Sequence, residues 1–316
     1  MKRVVFAIVF MIMSNLIYAQ TIVWKEIASL PMEYYGGEAV SLGGEIYFVG
    51  SVSGKTITPH FYKYNPEKNS WTQLTNIPDP TMNLALAAVN DKIFAIGGDR
   101  FKKTNRMYNP KTDSWSIMDS MPTGRQHISA GTYGNNIYVT GGLTSWTSIS
   151  KKLEVYNVKV NTWLEKTEIP SLRNNSAVIG YDDKIFVFGG AGTKEDVYGD
   201  INTVESYDVK KDQWELKKEL PIMLFKPGIT VVGKEIFLIG GQAMIEGQCV
   251  ASTRVFVYKP DTDTYIETTP LPKKNVFFGC TSIGDKIYVI GGTVGGLPNW
   301  DGYSTVYEGQ VINNPK

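Results

Sequence analysis

One arrangement of residues recurs six times along this chain and leaves it little freedom of fold. Four anchors define the arrangement. An aromatic residue (Trp24, Trp71, Trp115, Trp163, Trp214, Tyr265) is followed seven residues later by a proline (Pro31, Pro78, Pro122, Pro170, Pro221, Pro272). A glycine stands 19 residues after each proline (Gly50, Gly97, Gly141, Gly189, Gly240, Gly291). A tyrosine closes each unit (Tyr64, Tyr108, Tyr156, Tyr207, Tyr258, Tyr307), and in five cases of five the next aromatic anchor lies seven residues further on. Only the glycine-to-tyrosine gap varies, through 14, 11, 15, 18, 18 and 16 residues. Three fixed gaps and one variable gap describe a rigid unit with one free loop, and a unit of 44 to 51 residues repeated in register decides the architecture.

The residues between the anchors specify strands. A small or apolar run follows each proline, such as His127 to Thr132 or Asn175 to Ile179. Two turn-formers come next: Gly43-Gly44, Asn90-Asp91, Gly134-Asn135, Asp182-Asp183, Gly233-Lys234 and Gly284-Asp285. Such pairs suit two-residue hairpins, which need positive φ. A β-branched and aromatic run then starts at Ile46, Ile93, Ile137, Ile185, Ile236 and Ile287. A third strand carries the tyrosine, a turn such as Asn109 to Asp113 follows, and a fourth strand carries the next aromatic anchor. Each unit is read as a four-stranded antiparallel sheet.

The Gly-Gly pairs, the Tyr-x6-Trp spacing and the Leu/Met/Ile-Pro elements make residues 21 to about 310 resemble the kelch repeat. That resemblance implies an all-β fold, a six-bladed β-propeller with four antiparallel strands per blade. It speaks for fold more than for function, because the propeller hosts many activities. The segment around Trp24 lies before the first full unit, and the last unit lacks a fourth strand of its own. The simplest reconciliation is a ring closed by the N-terminal strand, which removes two exposed sheet edges.

Residues 1 to 19 read as a secretory signal peptide. Lys2 and Arg3 precede an apolar run from Val4 to Ile12, and Tyr18-Ala19 ends the segment, with cleavage expected after Ala19. The run is short for a membrane span, so the mature chain, residues 20 to 316, is expected in the periplasm or outside the cell and off the membrane. Losing Lys2 and Arg3 leaves 30 basic against 31 acidic residues, a balance that argues against nucleic acid as a partner. The ring is expected to be a single-domain monomer.

Antiparallel geometry puts the variable loops and the post-proline segments on one face. Loops on a rigid scaffold are where binding usually resides, so the functional surface is placed there. The candidate ligand-binding residues are Tyr34, Arg100, Arg125, Trp146, Arg173, Tyr198, Phe225, Trp300 and Tyr303. Aromatic platforms with bidentate donors suit a protein or a glycan ligand. Further charges on this face are Lys226, Glu195, Asp196, Asp200, Glu246 and Asp301. Arg125 and Arg173 also occupy a position where kelch repeats often carry arginine, so bridging of blades stands beside ligand contact. Arg100, Lys102, Lys103 and Arg106 in the shortest loop read either as a solvated basic loop or as an anion site.

The sequence specifies no catalytic residue, metal or cofactor. Two histidines, His60 and His127, are too few for a three-histidine metal site. The copper chemistry of galactose oxidase, a kelch-type enzyme, needs a histidine pattern and a cysteine partner that are not evident here. Cys280 occupies a small apolar position of the innermost strand, equivalent to Ala39 and Ala130, and reads as a buried thiol, with a bond to Cys249 as the alternative. A binding module is the leading reading. The runner-up is a carbohydrate-active enzyme of the sialic acid epimerase type, which this chain resembles in fold and export; there Arg125, Arg173 and Glu195 would supply the anion clamp and the proton donor.

Overall fold

The computed structural model describes residues 20–194, 197–245, 248–295 and 301–312, and its regular elements are all strands. The expected signal peptide therefore lies outside the described residues. Six four-stranded antiparallel sheets account for the repeat. From the inside outwards the first comprises Glu38–Leu42, Glu45–Val49, Phe61–Asn65 and Ser70–Gln73. The next four begin with the innermost strands Ala85–Val89, Ser129–Tyr133, Ala177–Tyr181 and Gly228–Val232. The sixth holds Gly279–Ile283, Lys286–Ile290 and Val306–Ile312, and its outermost strand is Thr21–Ile27 from the other end of the chain. The innermost strands neighbour one another in chain order, and Gly279–Ile283 packs in turn against Glu38–Leu42.

The hairpin turns are as the sequence demands: Gly43, Asn90, Gly134, Asp182, Gly233 and Gly284 all have φ between 49° and 62°. The β-branched second strands are apolar without alternation because each is covered on both faces. Ile46, Phe48 and Val49 have no exposed surface, and the same holds for Ile236, Phe237, Leu238 and Ile239. Burying each such side chain stabilises the fold by about 1.5–3 kcal/mol. Each hydrophobic cluster draws on two neighbouring sheets; Phe94 and Ile96 pack with Ile137, Val139 and Tyr156 of the next.

A repeated latch joins each sheet to the one before it. The indole Nε1 of Trp71, Trp115, Trp163 and Trp214 donates to the carbonyls of Ala28, Thr75, Asp119 and Thr167. The Tyr265 hydroxyl donates to the Lys218 carbonyl in the fifth copy. Trp24 donates to the Thr269 carbonyl at 3.5 Å in the sixth, so the N-terminal strand meets the fifth sheet by the same device. Behind Trp71, Trp115, Trp163 and Trp214 a turn carboxylate or amide with positive φ does double duty. Asp212 Oδ1, for example, accepts from the Tyr207 hydroxyl at 2.7 Å and from the Thr167 backbone N–H at 3.0 Å. These two bonds, the hydroxyl first, pull the Asp212 pKa down to about 2.

Two expectations need correction. The sixth tyrosine anchor is not Tyr307. Tyrosine faces its tryptophan in the first four complete sheets (Tyr64 opposite Trp71, Tyr156 opposite Trp163), but Trp24 lies opposite Gly309. A Cβ on Gly309 would stand 2.5 Å from the Trp24 ring, so the indole occupies the tyrosine's place and only glycine fits beneath it. The variable loops are also less free than their lengths suggest. The two longest fold as hairpins, Ala191–Lys194 with Val197–Asp200 and Gln242–Ile245 with Gln248–Ala251.

Candidate functional site

The loop face assembles as antiparallel geometry requires. Post-proline segments pair directly with the loop bases: Arg173–Asn174 with Ala191–Lys194, Leu224–Phe225 with Gln242–Ile245, and Gln126 with Leu143. Two columns of the repeat matter most, three and five residues after the proline.

The first column is Tyr34, Thr81, Arg125, Arg173, Leu224 and Asn275, and each of its side chains is buried. This removes Tyr34, Arg125 and Arg173 from the exposed surface where the sequence reading placed them. Arg125 donates to the carbonyls of Gly141 and Lys152 and pairs with Glu154 at 2.6 Å, with neither side chain exposed. Arg173 does the same with Gly189, Thr203 and Glu205. Burial holds both guanidinium pKa values below the usual arginine range, against the pull of the carboxylates. The slot opposite lies on the third strand and is filled by Tyr62, Arg106, Glu154, Glu205, Phe256 and Tyr307. In the second sheet the arginine comes from that side: Arg106 donates to the Ala95 and Gly97 carbonyls and pairs with Asp79. The first sheet uses phenols, with the Tyr34 hydroxyl 2.6 Å from His60 Nδ1 and 3.0 Å from the Tyr62 hydroxyl. The fifth uses Leu224 with Phe256. One slot, repeated within each sheet between the post-proline segment and the third strand, thus carries ionic, phenolic and apolar fillings.

The second column is Gly36, Asn83, His127, Asn175, Lys226 and Phe277, and every member has φ between 48° and 70°. Five non-glycine residues in the left-handed region at equivalent positions are a costly arrangement. Backbone bonds hold it. Gly36 N–H donates to Phe277, His127 to Asn83, Asn175 to His127 and Lys226 to Asn175. These residues form a collar at the mouth of the central channel. A chain of amides fixes the collar histidine. Asn174 Nδ2 donates to the Ala191 carbonyl, so its Oδ1 accepts from Asn175 Nδ2 at 2.8 Å. Asn175 Oδ1 then faces His127 Nδ1 at 3.2 Å and can only accept, which places the proton on Nδ1 and leaves Nε2 a lone pair. Burial first, and the Lys226 charge as well, lower the His127 pKa, so the ring is neutral near pH 7.

Inside the collar a channel cavity of about 330 Å³ is lined by the first residues of the innermost strands, chiefly small side chains, with Glu38 and Lys226 as its charges. Their ion pair, at 2.5 Å, reaches from the first sheet to the fifth and crosses over the sixth. Cys280 is a free thiol; it lines the cavity half-buried, and its burial pushes the thiol pKa up. Among the described residues no three histidine, cysteine, aspartate or glutamate side chains stand together as a metal site.

The outer part of the face keeps several expected residues at the surface. Trp146 is 73% exposed and meets Phe101 edge-on at 5.3 Å; Arg100, beside Phe101, is exposed and bonds through its backbone N–H to Gln126. Two other cations of that loop are committed, since Lys102 and Arg106 share Asp79, while Lys103 is exposed. Phe225 stands edge-on to Phe277 at 6.1 Å beside the collar, and Lys273 lies 3.7 Å over the Tyr303 ring. Trp300, Glu195, Asp196 and Glu246 lie outside the described residues, as does the side chain of Tyr198. The sequence reading missed Glu38, Asn83 and Asn175. The usable signal was the second column itself, where glycine and two asparagines, the residues that best tolerate left-handed backbone, share one position.

A family model described as the KLHDC2/KLHL20/DRC7 kelch-repeats domain matches residues 83–292. Mouse Kelch repeat and BTB domain-containing protein 13 is 34% identical over 86 residues, 26% of this chain and 18% of that protein. Rat Kelch-like protein 38 is 25% identical over 92 residues, 29% of this chain and 15% of that protein. The alignments therefore span less than a fifth of these relatives' length. The solved structure of YjhT superposes with a TM-score of 0.75 at 16% identity, covering 91% of this chain and 99% of that one.

Proposed function

Because the chain belongs to the kelch-repeat domain family, we propose that it is an exported binding module that docks a protein ligand on its loop face. The observation that carries this reading is the exposed Trp146 and Arg100 beside the half-buried Phe101, contributed by the loops of two adjacent sheets. Tryptophan and arginine supply a large share of binding energy in protein interfaces. Met32, Ile57, Met223, Met244 and Val294 are further exposed apolar side chains of the same face, a supply of adaptable contact area. A glycan is the second ligand class, favoured by the Phe225–Phe277 pair beside the channel mouth. An epimerase-type activity would have to use groups other than Arg125 and Arg173, whose charges are taken up by Glu154 and Glu205.

Proximity labelling with the full chain in its native host, followed by affinity measurement on the recovered partner, tests this reading. Trp146→Ala and Arg100→Ala should each weaken the partner by about 10-fold or more and leave the melting temperature unchanged. Equal affinity of both variants and the parent would refute it. Export is tested by amino-terminal sequencing of the mature protein, expected to begin at Gln20.

A further inference from the structure

The ion pair across the channel mouth has a feature that stability does not demand. Glu38 and Lys226 belong to sheets that are not neighbours, 188 residues apart in sequence, and they meet over the entrance of a cavity with no other charged lining residue. Lys226 adopts a left-handed backbone (φ 48°) with its side chain only 14% exposed, and Glu38 is 23% exposed. Its N–H is bonded to the Asn175 carbonyl, which fixes the lysine's stem in the collar. Two partly desolvated opposite charges, carried by separate sheets and joined by their own contact, form a preorganised dipole above a cavity open to solvent and lined by small apolar and hydroxyl side chains.

We propose that the channel mouth is a binding site for a small zwitterion of the free amino-acid class, independent of the protein-docking surface around Trp146. The ligand carboxylate takes Lys226 and its ammonium takes Glu38. A zwitterion alone makes this exchange without stranding a charge. A simple anion would release Glu38 unpaired, a simple cation would release Lys226 unpaired, and an unpaired, partly buried charge is costly. A volume of about 330 Å³ admits one such molecule with its side chain directed down the channel among Ser41, Ser129, Thr132 and Ser282.

Isothermal titration and thermal shift on the mature chain with the twenty free amino acids test the site. The comparison probes are acetate, methylamine and N-acetyl amino-acid amides. At least one free amino acid should bind and raise the melting temperature, while its N-acetyl amide should not. Glu38→Gln and Lys226→Met should each weaken binding by about 10- to 100-fold. The exchanged pair, Glu38→Lys with Lys226→Glu, should restore binding to within a few fold, since a zwitterion can enter reversed; this variant also keeps the ion pair and so separates ligand recognition from folding. Absence of binding by every free amino acid, equal binding of acetate or of the amide, or undiminished binding in Lys226→Met would each overturn the proposal.

Discussion

The slot between the post-proline segment and the third strand of a sheet offers a direct measurement of what the buried arginines do. Arg125 and Glu154 have no exposed side-chain surface, so removing either one leaves its partner charged and buried, at a cost of about 3–5 kcal/mol. The fifth sheet shows the same two positions filled by Leu224 and Phe256; Phe256 sits opposite Leu238 in register as Glu154 sits opposite Val139. Arg125→Leu and Glu154→Phe should therefore each lower the melting temperature by about 6–10 °C, taking about 2 °C per kcal/mol for a chain of this size. The double variant should recover to within about 1.5 kcal/mol of the parent, because a packed apolar pair replaces an ionic one without an orphaned charge. Urea denaturation of all four proteins gives the coupling energy, expected on these figures to be about 4.5 kcal/mol or more. A double variant no more stable than its weaker parent would show that the guanidinium bonds to the Gly141 and Lys152 carbonyls, rather than the charge pair, hold the slot together, and the reasoning from the fifth sheet would fail.

Deleting residues 20 to 29 should destabilise the whole ring, since it removes the outermost strand of the sixth sheet and the Trp24 latch to Thr269; an unchanged melting temperature would sink the closure argument. The His127 imidazole has its pKa lowered in the folded chain, so the folded state disfavours protonation relative to the unfolded chain. Its contribution is complete above the unfolded histidine value, about 6.5, and is lost as pH falls from there through the folded pKa. Stability measured from pH 7.5 to 5 should fall more steeply in the parent than in His127→Asn, which keeps a residue tolerant of φ 55°; parallel curves would count against a buried neutral imidazole.

The parts of this molecule that were legible in its sequence are those where the same physical demand is met by the same kind of residue in every copy. Hairpin turns need positive φ, second strands need apolar cover on both faces, and the latch needs an aromatic side chain with an N–H or O–H donor, so those positions repeat and can be read. Legibility failed where one demand has several chemical solutions. The slot three residues after the proline must be filled, and tyrosine, threonine, arginine, leucine and asparagine all serve, some through hydrogen bonds and one by packing alone. Read singly, Arg125 and Arg173 look like ligand donors; read as a column with Leu224 and Tyr34, they declare a buried position. Tyr307 was mistaken for an anchor for a related reason: the side chain filling that place comes from Trp24, at the far end of the chain, and leaves a glycine where a tyrosine is expected. The channel mouth lies further still from what a single sequence discloses. Glu38 and Lys226 sit in different columns of non-adjacent units, and nothing in the repeat couples them until the ring brings their charges to 2.5 Å. The repeat writes the scaffold, and function is carried by the positions that depart from it, which is why the most informative residues at this mouth, a glutamate, a histidine and a lysine, are those with no counterpart in the other five units.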